Sequence, residues 1–582
     1  MKGRSSASLW IALAVTIVAA DLVFVFDRLI STVAAAMELL LLVLWLRRTF
    51  QPVREGKASR RANIFMWALS ALTVLAFAQK VWHLSRFWRG VAAPNEADFY
   101  GNFTALALFF AVTLGLLRGE RLRRLLEAVE KSPARLSALT FALFIFFGGV
   151  ALSHPASLRG ENGARLLDGV FTATSAVCLT GLCPFNVPAT YSGFGQAVLL
   201  LLMQAGGLGY VILASALTIV IGRRLDAHRA TALAETIDTR SVGELKSMVR
   251  FVIVVTLAVE LAGAALLYLS SLPTPEVALG PESDHPAAGA GSRVWWAVFL
   301  SVSAFCNCGF ALSNGNLMAF GDSFAVSAVV ALLIIAGGLG FPVLSEVFTR
   351  LRSRRGGQRP KRASLHTRVM LATTLVLIVV PAVALLVLEW NRSLSALSWP
   401  GRVLAAFFQS VSMRTGGFNS VDVVKFGAAS MWLTSIVMLI GGGPVSTAGG
   451  IKATAASLSF AFLRGEVHGE KPRLFDRLIP EANVRRAIAV VFVSVIFVLF
   501  MTGALLIEGR HDSLRALFEV ASAFATCGLS SGVTAELSDY GKVVLILTMW
   551  IGRVGPMTFV VALFARDRSA RIAPAEERVL LG

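Results

Sequence analysis

Four short segments of this 582-residue chain share a pattern that could hold an ion. They are Phe171-TATSAVCLT-Gly181-Leu182, Phe299-LSVSAFCNC-Gly309-Phe310, Phe407-FQSVSMRTG-Gly417-Phe418 and Phe518-EVASAFATC-Gly528-Leu529. In each a Phe precedes the Gly by ten residues, and the glycines are 128, 108 and 111 residues apart. Three copies place Ser then Ala at one offset (Ser175-Ala176, Ser303-Ala304, Ser522-Ala523), and the third drifts to Val411-Ser412. The chemistry such segments offer is coordination by backbone oxygen. A short helix directs the negative end of its dipole along its axis, and extended residues after it present carbonyls in place of a cation's water shell. A glycine permits a carbonyl direction that a Cβ would forbid. Four unrelated loops would not repeat one offset at near-equal spacing, and four such units can close a ring suited to dehydrating a monovalent cation.

The elements that must position these segments are membrane spans. The chain is 56% hydrophobic and 15% charged with a mean hydropathy of +0.71, which excludes a soluble multidomain enzyme and a disordered chain. Its net charge of +19 falls in short basic clusters between apolar runs, a positive-inside pattern and not a nucleic-acid surface. Apolar runs at 9–26, 32–46, 65–83, 104–117, 137–153, 193–221, 249–269, 323–348, 369–389, 428–463, 487–507 and 542–564 predict twelve spans with both termini cytoplasmic. Basic segments at 47–61, 118–135, 222–250, 349–368, 464–486 and 565–578 mark the cytoplasmic side, and 118–135 reads as an amphipathic helix. The repeated segments are too short to cross, and non-helical backbone at membrane depth is tolerated only in protein or against a water-filled cavity, so they must face a pore. The expected organisation is an all-α polytopic membrane protein: an N-terminal extension over 1–136 with about four extra spans, then pore units at 137–222, 223–349, 350–464 and 465–582 around one central pore.

With AVCLTGL, FCNCGF, RTGGFN and ATCGLS at its four loops, the chain resembles the Trk/Ktr/HKT superfamily of potassium transporters, and its bacterial TrkH/KtrB-like membrane subunits in particular. Similar supporting motifs are QAGGLGY from Gln204, AGGLGFPVL from Ala336, GGGPVSTAGGIK from Gly441 and IGRVGP from Ile551. The resemblance spans roughly residues 137–566. It implies a selectivity filter built on Gly181, Gly309, Gly417 and Gly528, with ion-coordinating carbonyls from Leu179 and Thr180, Asn307 and Cys308, Thr415 and Gly416, and Thr526 and Cys527. Glycine in all four units goes with potassium preference in the family, and a Ser in the first unit with sodium transport.

Residues 441–452 interrupt an apolar run with Gly441, Gly442, Gly443, Pro444, Ser446, Thr447, Gly449, Gly450 and Lys452, a composition that predicts unwinding. The resemblance makes this segment the intramembrane gating loop. It departs from the family's GGSPGSTAGG at Gly443 and Val445. A phosphate-binding loop would need a G-K-[ST] ending after a strand, and neither is present. Arg553 matches the family arginine beneath the filter, an electrostatic barrier and latch against the gate. Lys452 divides between gate and interface charge, Glu260 and Glu519 read as structural hydrogen-bonding groups, and Arg414 as an anchor turned away from the ion path. The five cysteines, Cys178, Cys183, Cys306, Cys308 and Cys527, lie in or beside three of the segments; a soft-metal site and small buried residues at inherited offsets compete there.

The reading that follows is potassium uptake across the bacterial inner membrane through a gated filter, with no enzyme chemistry: no H-E-x-x-H or similar constellation occurs. A sodium-permeable or cation-coupled transporter of the same architecture is the alternative. The resemblance implies a homodimer in membrane lipid, docked on a cytoplasmic RCK-type nucleotide-binding regulatory subunit. Potassium is then the transported ion, and ATP, ADP or NAD would act only through that partner, with no cofactor on this chain.

Overall fold

The computed structural model describes residues 133–159, 165–220, 242–272, 290–313, 315–355 and 362–555. The spans expected at 9–26, 32–46, 65–83 and 104–117, and the basic tail at 565–578, lie outside the described residues.

Helices make up nearly all of the described chain, because backbone groups in an apolar setting must be satisfied within each segment. In order they are α1 (Pro133–Ser153), α2 (Leu166–Cys178), α3 (Gly193–Val220), α4 (Val242–Ser271), α5 (Ala290–Phe305), α6 (Phe324–Leu339), α7 (Phe341–Arg355), α8 (Leu365–Glu389), α9 (Trp399–Ser412), α10 (Ala428–Leu439), α11 (Ala453–His468), α12 (Glu481–Leu506), α13 (Ser513–Ala525) and α14 (Asp539–Val554). Their starts carry side-chain caps: Ser364, Ser398, Asp512 and Ser538 accept the N–H of Thr367, Gly401, Leu514 and Gly541. Helices α8 and α12, of 25 and 26 residues with mean hydropathy 2.8, and the stretch Met248–Ser271 within α4 are long and apolar enough to cross a bilayer. Pro381 sits inside α8, and the Ile378 carbonyl in the preceding turn accepts the Ser410 hydroxyl of α9 at 2.6 Å. A neighbouring hydroxyl thus serves a backbone group near the proline, which is how membrane helices tolerate one.

The apolar run expected as one span at 323–348 is instead two helices, α6 and α7, bent by 107°. The break is Gly340, at φ 90°, a value open to glycine, and Pro342 lies in the first turn of α7. The hydropathy stays high through AGGLGFPVL, so composition alone does not reveal the bend. Gly209, at φ 72°, kinks α3, and Gly555, at φ 94°, ends α14. The run at 428–463 is also divided, into α10 and α11, with residues 441–452 non-helical between them.

Packing follows a cycle. Helix α1 contacts α2 and α3, α4 contacts α5 and α6, α8 contacts α9 and α10, and α12 contacts α13 and α14. Between these groups α3 packs on α5, α6 on α9 and α10 on α13, and α14 of the last packs on α2 of the first. Where α14 meets α2, Lys542 Nζ lies 2.6 Å from Asp168 Oδ1, both side chains largely shielded from solvent. Phe171, Phe299 and Phe518 are fully buried within this arrangement. The third Phe of the repeated pattern is a correction: Phe407 is 40% exposed, and Phe408 takes the buried place at 1%.

Candidate ion-conduction site

Each short helix α2, α5, α9 and α13 leads into a residue with left-handed backbone two positions before the conspicuous glycine. These are Leu179 (φ 61°), Asn307 (φ 56°), Thr415 (φ 66°) and Thr526 (φ 52°). The glycines follow at φ 88°, 85°, 74° and 97° for Gly181, Gly309, Gly417 and Gly528. In three units the turn is a Schellman motif. Leu179, Asn307 and Thr526 donate their N–H to Ala176, Ala304 and Ala523, and Thr180, Cys308 and Cys527 donate theirs to Ser175, Ser303 and Ser522 at 2.7 to 2.8 Å. The repeated Ser-Ala pair is therefore the acceptor end of a helix cap.

The third unit is one residue shorter. Gly416 and Gly417 both donate to the Ser412 carbonyl, at 2.7 and 3.2 Å. Ser412 thus stands where Ser175 stands in the first unit, and Phe408 where Phe171 stands, with Arg414 in place of the Val177-Cys178 pair. The cysteines agree with this alignment. Cys308 Sγ faces the Ser175 and Ala176 carbonyls at 4.0 and 3.9 Å, and Cys527 Sγ faces those of Ser412 and Met413 at 3.5 and 3.3 Å. Each thiol serves the carbonyl end of the neighbouring unit's short helix, and Cys306 Sγ faces Gln204 and Glu260, both at 3.8 Å.

These turns send their N–H groups back into the helices and leave their carbonyls free. Among the described residues the carbonyls of Leu179, Thr180, Gly181, Asn307, Cys308, Thr415, Gly416, Gly417, Thr526, Cys527 and Gly528 accept no hydrogen bond, and that of Gly309 accepts one, from Asn316. Ten of these twelve residues are buried, and Gly181 and Gly528 are partly exposed. Buried carbonyls are ordinarily paired, so such a cluster fits a group that takes oxygen ligands. The glycines also touch in order around a circle. A Cβ on Gly181 would collide with the Cys308 carbonyl, one on Gly309 would lie 2.8 Å from Gly417 Cα, one on Gly417 would collide with the Cys527 carbonyl, and one on Gly528 with that of Thr180.

A second set of glycines supports the first. Cβ atoms on Gly206, Gly337 and Gly552 would collide with the carbonyls of Val177, Phe305 and Phe524, each four residues before a conspicuous glycine. In the sequence the recurring AGGLG pattern marks Gly206 and Gly337, while Gly552 stands in IGRVGP. Gly337→Ala is expected to destabilise the protein by about 1–3 kcal/mol through overpacking. Thermal unfolding in detergent checks this beside Gly503→Ala, where nothing lies within 4 Å of a Cβ.

Residues 441–452 pack beside the turns of the second, third and fourth units. Gly441 N–H donates to Ile451 at 2.9 Å and Ile451 N–H to Leu439 at 3.1 Å, closing the base of the loop. Gly443 N–H donates to Gly338 at 2.9 Å, and Phe341 N–H to Val445 at 3.1 Å, so the loop rests on the α6–α7 bend. At its other flank a Cβ on Gly449 would meet Thr526, and one on Gly441 would lie 3.6 Å from Thr415 Cγ2. Lys452 Nζ donates to Ala448 within the loop at 2.6 Å. Arg553 Nη1 donates to the Thr447 carbonyl and Nη2 to that of Gly206 at 2.6 Å, while the guanidinium lies 6.0 Å from the Phe141 ring. One cation thus ties α14 to the loop and to α3. Pro444, Ser446 and Gly442 complete the turn, with Ser446 Oγ donating to Gly443 at 2.6 Å and Ala453 N–H to Gly442 at 2.9 Å. Val445 is held at φ 52°, which costs a β-branched residue about 1–3 kcal/mol. Gly450, at φ 66°, meets no such strain.

The acids have structural partners. Glu519, fully buried, accepts from the Ser530 hydroxyl at 2.7 Å, from the Ser531 N–H and hydroxyl at 2.9 Å each, and from the N–H and hydroxyl of Thr534. Glu260 accepts from Gln204 at 3.2 Å. Arg414 is 6% exposed, and its Nε has no hydrogen-bond partner among the described residues.

Residues 140–572 match the model of the TrkH family, described as cation transport protein. The chain belongs to the TrkH cation transport family. It is a cation transporter and not an enzyme. Among its relatives it is similar to the Ktr system potassium uptake protein B of Bacillus subtilis, 32% identical over 79% of this chain and 99% of that protein. The Ktr system potassium uptake protein B of Vibrio alginolyticus is 34% identical over 78% and 96%, and the potassium/sodium uptake protein NtpJ of Enterococcus hirae 31% identical over 78% and 97%. The crystal structure of the potassium transporter TrkH from Vibrio parahaemolyticus shares the fold, with a TM-score of 0.61 at 19% identity, over 86% of this chain and 98% of that one.

Proposed function

We propose that this TrkH-family chain is the ion-translocating subunit of a Trk/Ktr-type potassium uptake system. The observation that carries this is the cluster of mostly buried carbonyls, all but one unpaired among the described residues, on four left-handed turns whose glycines touch in a circle. Four units, at 137–222, 223–349, 350–464 and 465–582, surround one pore, preceded by the N-terminal extension 1–136. A potassium ion exchanges water for the carbonyls of Leu179, Thr180, Gly181, Asn307, Cys308, Gly309, Thr415, Gly416, Gly417, Thr526, Cys527 and Gly528. The carbonyl ends of α2, α5, α9 and α13 add favourable dipoles, each equivalent to roughly half a negative charge. Below them the 441–452 loop is the gate, and Arg553 holds it while placing a positive charge under the filter. Opening requires the loop to leave Arg553, Gly337 and Gly338.

The chain acts in the bacterial inner membrane with both termini cytoplasmic, as a homodimer bound to a cytoplasmic RCK-type subunit that carries the nucleotide response. Potassium-dependent growth of an uptake-deficient bacterium expressing the chain, alone and with an RCK subunit, tests this, together with potassium and sodium flux into liposomes holding the purified protein. Rescue with potassium flux above sodium flux is the expected result. Equal fluxes would favour the sodium-permeable alternative, which the similarity to the Enterococcus hirae potassium/sodium uptake protein keeps in view.

A further inference from the structure

We infer that Asn316 is a positioning residue that fixes the Gly309 carbonyl and so sets how well potassium is told from sodium; the inference rests on the filter proposed above. Asn316 Nδ2 donates to the Gly309 carbonyl at 3.0 Å. No side chain or backbone N–H among the described residues does this for Gly181, Gly417 or Gly528. The residue seven places after the glycine is Pro188, Val424 and Ala535 in the other three units, so a carboxamide stands at that offset in the second unit alone.

The donor is rigidly placed. Asn316 adopts φ 62°, a left-handed conformation that asparagine tolerates better than most residues, and its own N–H bonds the Ser313 carbonyl at 3.2 Å. Ser313 Oγ accepts from the indole of Trp296, a buried residue of α5, at 2.9 Å. The next residue, Leu317, donates its N–H to the Asn419 carbonyl at 3.1 Å, two residues past Gly417. The turn that holds Asn316 is therefore fastened both to the short helix of its own unit and to the segment following the neighbouring unit's glycine.

A carbonyl that gives one lone pair to a fixed amide keeps the other for an ion and loses freedom to swing inward. That freedom matters, because a smaller ion is accommodated by carbonyls that can close around it, and selectivity depends on the number and mobility of the oxygens. The Gly309 oxygen is thus the stiff member of its ring, and the sequence supplies the stiffness once.

The experiment compares potassium and sodium flux into liposomes for the full-length wild type, Asn316→Ala and Asn316→Asp. Asparagine to aspartate keeps the shape but presents no donor to the carbonyl. Both variants are expected to lower the potassium-to-sodium flux ratio by about fivefold, the effect of one neutral hydrogen bond. A wild-type ratio near one would remove the filter and this inference with it. A selective wild type with both variants unchanged would overturn the inference alone. So would an Asn316→Asp protein that keeps the ratio while the alanine variant loses it, or a fall in both fluxes by the same factor, which is what a merely structural residue would give.

Discussion

Replacing Gly181 with serine is expected to end potassium-dependent growth on low potassium, lower potassium uptake more than about tenfold and admit sodium. Two costs coincide at this position. The backbone stands at φ 88°, where an L-residue is strained by about 1–3 kcal/mol. The new Cβ would also enter the Cys308 carbonyl and approach Gly309 Cα to 3.2 Å, so the second unit must retreat from the axis for the first to relax. Gly509→Ser separates these effects, because Gly509 shares a positive φ of 65° but nothing lies within 4 Å of its Cβ. It is expected to transport as the wild type does. Growth of the Gly181→Ser strain at wild-type rate, with unaltered ion preference, would show that the glycine circle is not the conducting element.

Arg553→Ala is expected to raise potassium flux roughly tenfold in liposomes without any regulatory subunit, since charge-assisted hydrogen bonds of about 1.5–3 kcal/mol each then no longer hold the loop. The guanidinium reaches the Thr447 and Gly206 carbonyls with different nitrogens, a fork that lysine cannot reproduce. Arg553→Lys should therefore fall between wild type and alanine. A flux that stays level or drops in the alanine variant would mean that Arg553 does not restrain the path.

Much of this organisation was legible in the amino-acid sequence because it rests on local chemistry. The glycine-rich 441–452 segment lacks the side chains that would hold a helix, and it is non-helical. The departure at Val445 was visible as a missing glycine, and the structure gives it content, a valine in left-handed backbone. The Ser-Ala pairs and left-handed turns belong to one local motif, which is why three copies kept their spacing. The third copy misled in a particular way: Phe407 and Phe408 are adjacent and identical, so counting back ten residues from Gly417 selects the exposed one. Only the shortened cap at Ser412 identifies Phe408 as the buried partner. What could not be read was the long-range complement. Gly340 bends a run whose hydropathy never falls, Gly552 matters through a carbonyl in another helix, and Asp168 pairs with a lysine 374 residues away.

That last pair has a consequence for how such a chain could be cut and rejoined. A ring strung on a single thread has joints made by the thread itself, and one seam where its beginning meets its end. Here the seam lies between α2 and α14, and a shielded carboxylate and ammonium 2.6 Å apart fasten it. A chain cut within another joint and rejoined by a linker from α14 to the start of the first unit would leave Asp168 and Lys542 fastening a joint already made by peptide. The pair would then contribute less to the permuted chain than to the natural one.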